Sequence, residues 1–310
     1  MRVFDLHIDL SSFCLTTGKK DLLKKGRIGN GFLPDQVDIP RLKKANIKTF
    51  LANICPILAS EKGFNLPPNS LVETLKQANF YLEQKEKFKK SGINFFLSIE
   101  GAYFIKSKED LSLIPLLKKL GVVSIAPTWN FNNALGAGAD DFSSRNGLTR
   151  LGRQFVRTCE ENVILIDAVH TNKKTFWDLI KYSRKPLFVS HTASFEVKKH
   201  RRNLDKEQIK AIVKRGGLIG LCFINDFVGG TSIKDAVKQL QSLVDIAGVE
   251  NIAVGSDFDG MAQEDLIKGL EDISKLPKFF DACLKNGFTK KDLGKIAGRN
   301  AARFFAAKIV

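Results

Sequence analysis

The sequence predicts an α/β protein built as a closed (β/α)8 barrel, on three observations. Short apolar, β-branched runs alternate with amphipathic, Lys- and Glu-rich stretches, and the alternation yields eight strand candidates. Strands separated by helices pair in parallel and are covered on both faces, which is why they read as continuous apolar runs. The fingerprints of an open nucleotide-binding sheet, GxGxxG and GxxxxGK[ST], do not occur, and 310 residues suit eight βα units of the TIM type in one domain.

Val3 to Ile8 is the first strand candidate, and Lys48 to Ile54 and Asn94 to Ile99 follow it. Between the latter two lies a helix over Leu71 to Ser91. Its Leu71, Leu75, Ala78 and Leu82 share one face at spacings of four and three, so that face is expected to pack inward. Val122 to Ala126, Val163 to Ile166, Leu187 to Ser190, Leu218 to Cys222 and Ile252 to Gly255 complete the eight. Asp205 to Lys214 and Ser232 to Ala247 read as intervening helices, with Gly216-Gly217 as a tight turn into the seventh strand. No compositional shift or Pro/Ser linker divides the chain, so a single domain is expected over 1–310. Helices from about residue 265 onward (Pro277 to Asn286, Lys290 to Ala297, Asn300 to Ala307) should close the barrel from below or outside.

A composition of 44% hydrophobic and 26% charged residues excludes a disulfide miniprotein, a collagen-like fibre and a disordered tail. No apolar run reaches the length of about 18 residues that a membrane span requires. The N-terminus turns polar too early for a secretory signal, and five dispersed cysteines without a CxxC pair read as reduced core thiols. The expected location is therefore cytoplasmic. The net charge of +16 is spread along the chain. Its densest run, Lys198-Lys199-His200-Arg201-Arg202, carries no interleaved aromatics. Solvated faces are expected, with His200 at the surface, rather than a nucleic-acid or membrane partner.

The reactive side chains then fall at strand ends. His7 and Asp9 sit at the end of strand 1, Glu100 closes strand 3, and His170 and His191 follow strands 5 and 6. Asp257 and Asp259 follow strand 8. In a barrel those ends open on one face, so residues remote in sequence share one pocket. Imidazole with carboxylate suits zinc, and manganese or iron less well. The donors are too many for one catalytic zinc with an open position. They suit two metals bridged by Glu100, whose two oxygens can serve both, with a bridging water made acidic between them. Asp257 becomes the general acid/base or orienting group; Asp259 is expected to fix the loop.

Together these residues resemble the membrane (renal) dipeptidase family, zinc metallopeptidases on an amidohydrolase-type barrel. The resemblance rests on DLHIDL at 5–10, SIEG at 98–101, PTWNFNNALGAG at 127–138, IDAVH at 166–170, PLFVSH at 186–191, RRN at 201–203, GGLIGL at 216–221, GSDFDG at 255–260 and GRNAARFF at 298–305. It implies one zinc on His7, Asp9 and Glu100 and a second on Glu100, His170 and His191. Arg202 matches the arginine that takes the substrate carboxylate, which suits a two-pronged guanidinium; Arg201 beside it is the lesser match. Asp257 matches the strand-8 aspartate.

Two positions depart from the animal-type pattern and look like the bacterial type. A histidine of the strand-4 loop is replaced by Thr128-Trp129-Asn130, so Trp129 and Asn130 stand as candidate substrate contacts. Trp129 reads equally as a loop anchor or a pocket wall. Ala168-Val169 precedes His170 where Leu-Ser is common, and Asp167 reads as a supporting or capping carboxylate. The implied activity is hydrolysis of dipeptides by a bridging hydroxide on two zinc ions, in a protein compatible with a homodimer. The alternatives are another amide or ester hydrolase on the same metal pair, or a non-catalytic anion- or nucleic-acid-binding barrel.

Overall fold

A computed structural model of the chain describes residues 1–19, 21–24, 33–60, 63–65, 69–142 and 145–307. Eight strands form one sheet: β1 (Val3–Ile8), β2 (Ile47–Ile54), β3 (Asn94–Glu100), β4 (Val122–Ala126), β5 (Leu165–Ile166), β6 (Phe188–Thr192), β7 (Leu218–Leu221) and β8 (Ile252–Val254). Their order in the sheet is β5-β4-β3-β2-β1-β8-β7-β6, and every pairing is parallel. The two edges meet through a parallel bridge between Asp167 and Phe188, where the Ala168 N–H donates to the Phe188 carbonyl at 2.8 Å. The sheet is thereby curled round, as a (β/α)8 barrel requires.

Each strand sends a side chain into a shared interior: Phe4 and Leu6, Leu51, Phe96, Val123, Leu165, Phe188, Leu218 and Ala253. The base is filled by Phe304 and Phe305 of the helix Asn300–Ala306, and the Phe305 ring lies 5.4 Å from Phe4 and 5.5 Å from Phe188. That helix is reached through Lys290–Gly294 and a π turn at Lys295–Arg299. A Cβ on Gly298 would stand 2.8 Å from the Arg2 carbonyl, so only glycine lets the turn approach the start of β1 this closely. A second, larger apolar cluster lies outside these residues, between strands and helices.

Two local expectations are corrected. In the helix Ser70–Lys90 the inward residues are Thr74, Gln77, Ala78, Tyr81 and Phe88, while Leu75 and Leu82 are exposed. Polar groups face inward because the strand ends need partners. Gln77 Oε1 accepts from Ser11 Oγ and the Cys55 N–H, and Tyr81 accepts from the Ser11 N–H and donates to the Ile8 carbonyl. Strand 5 begins at Leu165 rather than Val163, because Val163 adopts a left-handed φ of 54° in the turn that ends the helix Arg150–Glu161. A short antiparallel hairpin, Leu58–Ser60 with Gly63–Asn65, follows β2 and was not expected.

Candidate metal centre

The sheet brings His7, Asp9, Glu100, His170, His191 and Asp257 together at its carboxyl end, all buried. His7 lies within β1 and His191 within β6, while Glu100 is the last residue of β3. His170 and Asp257 both adopt left-handed backbone (φ 59° and 67°), a conformation that non-glycine residues hold only when their surroundings enforce it. Asp257 is fixed by its N–H donating to the His7 carbonyl at 3.1 Å. A Cβ on Gly260 would lie 2.5 Å from Asp9 Oδ2 and 2.8 Å from Asp257 Oδ1, so glycine lets this loop press against both carboxylates.

Glu100 Oε1 is the hub. It stands 2.7 Å from His170 Nε2, 3.5 Å from His191 Nε2 and 3.7 Å from His7 Nε2. His7 Nε2 also faces Asp9 Oδ2 at 3.1 Å and Asp257 Oδ1 at 3.6 Å, yet neither ring nitrogen has a hydrogen-bond partner among the described residues. The Nε2 atoms of His170 and His191 approach to 3.1 Å. Two proximity groups emerge, His7 with Glu100 and His191, and His7 with Asp9 and Asp257. His7 is common to both, a division different from the two ligand sets implied by the sequence. Converging imidazole nitrogens and carboxylate oxygens, with a buried nitrogen left unpartnered among them, fit a divalent cation and no ordinary core network.

The protein's own charges reinforce this reading. Burial presses the His7 imidazolium down, but Asp9 and Glu100 beside it lift it to about 10. Burial and the Arg202 guanidinium press His170 down to about 3, and burial with His7 holds His191 well below its usual range. Burial opposes ionisation of Glu100, yet His170 and His7 hold it well below the carboxylate range. Burial, with Asp9 and Glu100 close by, holds the Asp257 carboxyl well above its ordinary value. Added positive charge at this point would draw Asp257 back toward ionisation.

A supporting layer holds the donors. Asn53, a buried polar residue among the apolar Phe50, Leu51, Ala52 and Ile54 of β2 and not singled out in the sequence, gives its amide to Asp9 Oδ1 at 2.6 Å and Glu100 Oε2 at 2.9 Å. Asp5 Oδ1 accepts from the His7 and Ser256 N–H groups, tying β1 to β8. Asp167 accepts from the Val169 and Ser190 N–H groups, tying the His170 loop to β6. Asp259 is paired with Gln36, also absent from the sequence-level candidates.

Above the centre lies a cavity of about 330 Å³ lined by Asp9, Glu100, His170, His191 and Asp257, together with Arg202 and Trp129. Arg202 is buried, its Nη2 lies 2.7 Å from His191 Nε2, and it forms no salt bridge among the described residues. Trp129 stacks on His170 with ring centres 5.4 Å apart. Asn130 lines the same cavity, and its Oδ1 meets His170 Nδ1 at 2.7 Å. Arg201 pairs with Asp140 at 2.7 Å, and both line the same cavity. His200 is a correction: it is half-buried, stacked on Phe227 at 4.5 Å and 3.4 Å from Asp226, because it anchors the loop that carries Arg202.

Against known proteins, the family model described as membrane dipeptidase (peptidase family M19) matches residues 1–308. A protein of Klebsiella pneumoniae described as an uncharacterized protein in the pqqA 5′ region is 31% identical over 195 residues, which are 59% of this chain and 71% of that one. The crystal structure of a metallo peptidase from Rhodobacter sphaeroides, liganded with a phosphinate mimic of the dipeptide L-Ala-D-Ala, superposes with a TM-score of 0.84 over 99% of both chains, at 23% identity. Dipeptidase AC, a metallo peptidase of family M19, superposes equally well (0.84) over 99% of this chain and 98% of that one, at 24% identity.

Proposed function

The chain belongs to the membrane dipeptidase family and as such is a metal-dependent dipeptidase, and on that premise we propose that it works with two zinc ions held by His7, Asp9, Glu100, His170 and His191. The observation that carries the proposal is Glu100 Oε1, one carboxylate oxygen within 2.7, 3.5 and 3.7 Å of three imidazoles. A carboxylate oxygen so placed, with Oε2 steadied by the Asn53 amide, supports Glu100 as the ligand that two ions would share. Bound there, zinc would acidify a water and polarise the peptide carbonyl.

The remaining steps belong to side chains. Arg202, buried without an ion pair among the described residues, takes the free carboxylate of the dipeptide as a two-pronged donor and so limits substrate length. Asp257 holds the proton released from the attacking water and passes it to the leaving amine. Asn53 keeps Asp9 and Glu100 together, and Asn130 fixes the ring orientation of His170. Trp129 walls the pocket. The reading takes 1–310 as one catalytic domain.

No helix among the described residues is long and apolar enough to cross a membrane. All five cysteines are buried and unpaired, which supports a cytoplasmic protein. The test is elemental analysis of the pure protein, followed by a dipeptide panel after zinc reloading. Near two zinc per chain with dipeptide turnover is expected; a protein that binds no metal and cleaves no dipeptide would return the chain to the non-catalytic reading.

A further inference from the structure

The mouth of the barrel is chemically two-sided. On the side of β2, β3 and β4, the residues just beyond the strands are Cys55, Ile57, Tyr103, Trp129 and Phe131, which form an apolar cluster apart from both core clusters. On the side of β6 and β7 stand Arg202 and Phe227, with the Arg202 guanidinium 5.3 Å from the Phe227 ring centre. In the sheet order these two sides face each other across the axis, with Glu100 and the histidines between. Cys55, Ile57, Trp129 and Phe131 line the same 330 Å³ cavity as Arg202.

We propose that this apolar side receives the side chain of the N-terminal residue of the dipeptide, so that the protein selects dipeptides whose first residue is apolar. The proposal rests on the dipeptidase reading above, with the carboxylate of the second residue on Arg202. A dipeptide so anchored, with its peptide bond over Glu100, runs across the mouth toward β2–β4. The subsite is preformed: the Tyr103 hydroxyl donates to the Phe131 carbonyl at 2.6 Å and accepts from the Trp129 N–H at 3.2 Å, which fixes the loop. Ile57 is 2% exposed and Cys55 8%, so the floor of this side is set by the fold and not by solvent. A charged side chain pressed against Cys55, Ile57, Trp129 and Phe131 would lose water, and outside the donor cluster and Arg202 the charges of Arg201 and Asp140 in the same cavity already pair with each other at 2.7 Å.

The experiment is a kcat/KM series on the zinc-loaded full chain with Leu-Ala, Phe-Ala, Gly-Ala, Asp-Ala and Lys-Ala, alongside Ala-Leu and Ala-Asp. Leu-Ala and Phe-Ala are expected to exceed Asp-Ala and Lys-Ala by at least about tenfold, the scale on which apolar pockets discriminate. Ile57→Asp should shift preference toward Lys-Ala. Phe131→Ala, at a half-buried position outside both core clusters, should lower Leu-Ala and Phe-Ala by at least about threefold while Gly-Ala and the Ala-Leu to Ala-Asp ratio stay put. Equal rates for charged and apolar first residues, or a preference untouched by both variants, would overturn the subsite. A zinc-replete protein that cleaves no dipeptide at all would instead overturn the dipeptidase reading beneath it.

Discussion

Gln36 and Asp259 clasp each other in both directions: the Gln36 N–H donates to Asp259 Oδ1 at 2.9 Å, and the Asp259 N–H donates to Gln36 Oε1 at 2.7 Å. The Gln36 amide also reaches the Met261 carbonyl at 3.2 Å. Asp259 is thus committed to holding the loop after β8. Asp257, two residues earlier, aims its oxygens at His7 (3.6 Å) and His191 (3.7 Å). Asp257→Asn is therefore expected to retain metal and to lower kcat by at least about a hundredfold, the usual scale for a general acid/base. Asp259→Asn keeps the accepting oxygen and should lose far less. Measuring kcat and metal content of both variants side by side decides the matter, and a metal-replete, inactive Asp259→Asn reverses the roles.

Glu100→Gln should lose metal and activity together. The amide offers one neutral oxygen where a charged carboxylate faces three imidazoles, and its NH2 group would point at nitrogen donors or at Asn53. Elemental analysis separates this from a purely proton-transferring role, in which the metal would stay.

Arg202→Lys should raise KM sharply, because an ammonium cannot reproduce the planar fork that matches a carboxylate. Losing one charge-assisted contact in a buried pocket costs about 2–3 kcal/mol. Dipeptide amides, which lack the charge, should be much less affected. Equal losses on acids and amides would make Arg202 a structural residue.

Burial lifts the Asp167 carboxyl from 3.8 to about 6, against two backbone N–H donors that favour its charge. A carboxyl that binds its proton more tightly when folded gives its full stabilisation below the unfolded value of 3.8. That contribution is lost as pH rises toward about 6 and stays lost above it, a difference on the order of 3 kcal/mol for two units. Asp167→Asn keeps the accepting oxygen but has no proton to lose. Its Tm should therefore gain on the natural protein as pH is raised from about 4 to about 7, then run parallel. Parallel Tm curves across the whole range would contradict this.

The eight strands were legible because buried parallel strands announce themselves as apolar runs, and the clustering of the histidines and carboxylates because they stand at the ends of those runs. What escaped the sequence is what tertiary pairing decides. Leu75 and Leu82 make a convincing helical stripe, but the helix turns Gln77 and Tyr81 inward to satisfy backbone groups beyond β1 and β2. Asn53 looks like an incidental polar residue until its amide is seen between Asp9 and Glu100. Gln36 lies 223 positions from its partner Asp259, a distance across which no local pattern speaks. His200 looks like part of a solvated basic run because stacking on Phe227 is invisible in one dimension.

The ring of strands is fastened at one place by very little backbone: between β5 and β6, the Asp167–Phe188 bridge replaces a ladder. His170 hangs just beyond one side of that join and His191 lies on the other, their Nε2 atoms 3.1 Å apart. An ion gripped by both imidazoles would act as a buckle across the seam. Loss of the ion would then release a structural fastening as well as a catalyst, and the Ala168 amide would be among the first to exchange its hydrogen with solvent.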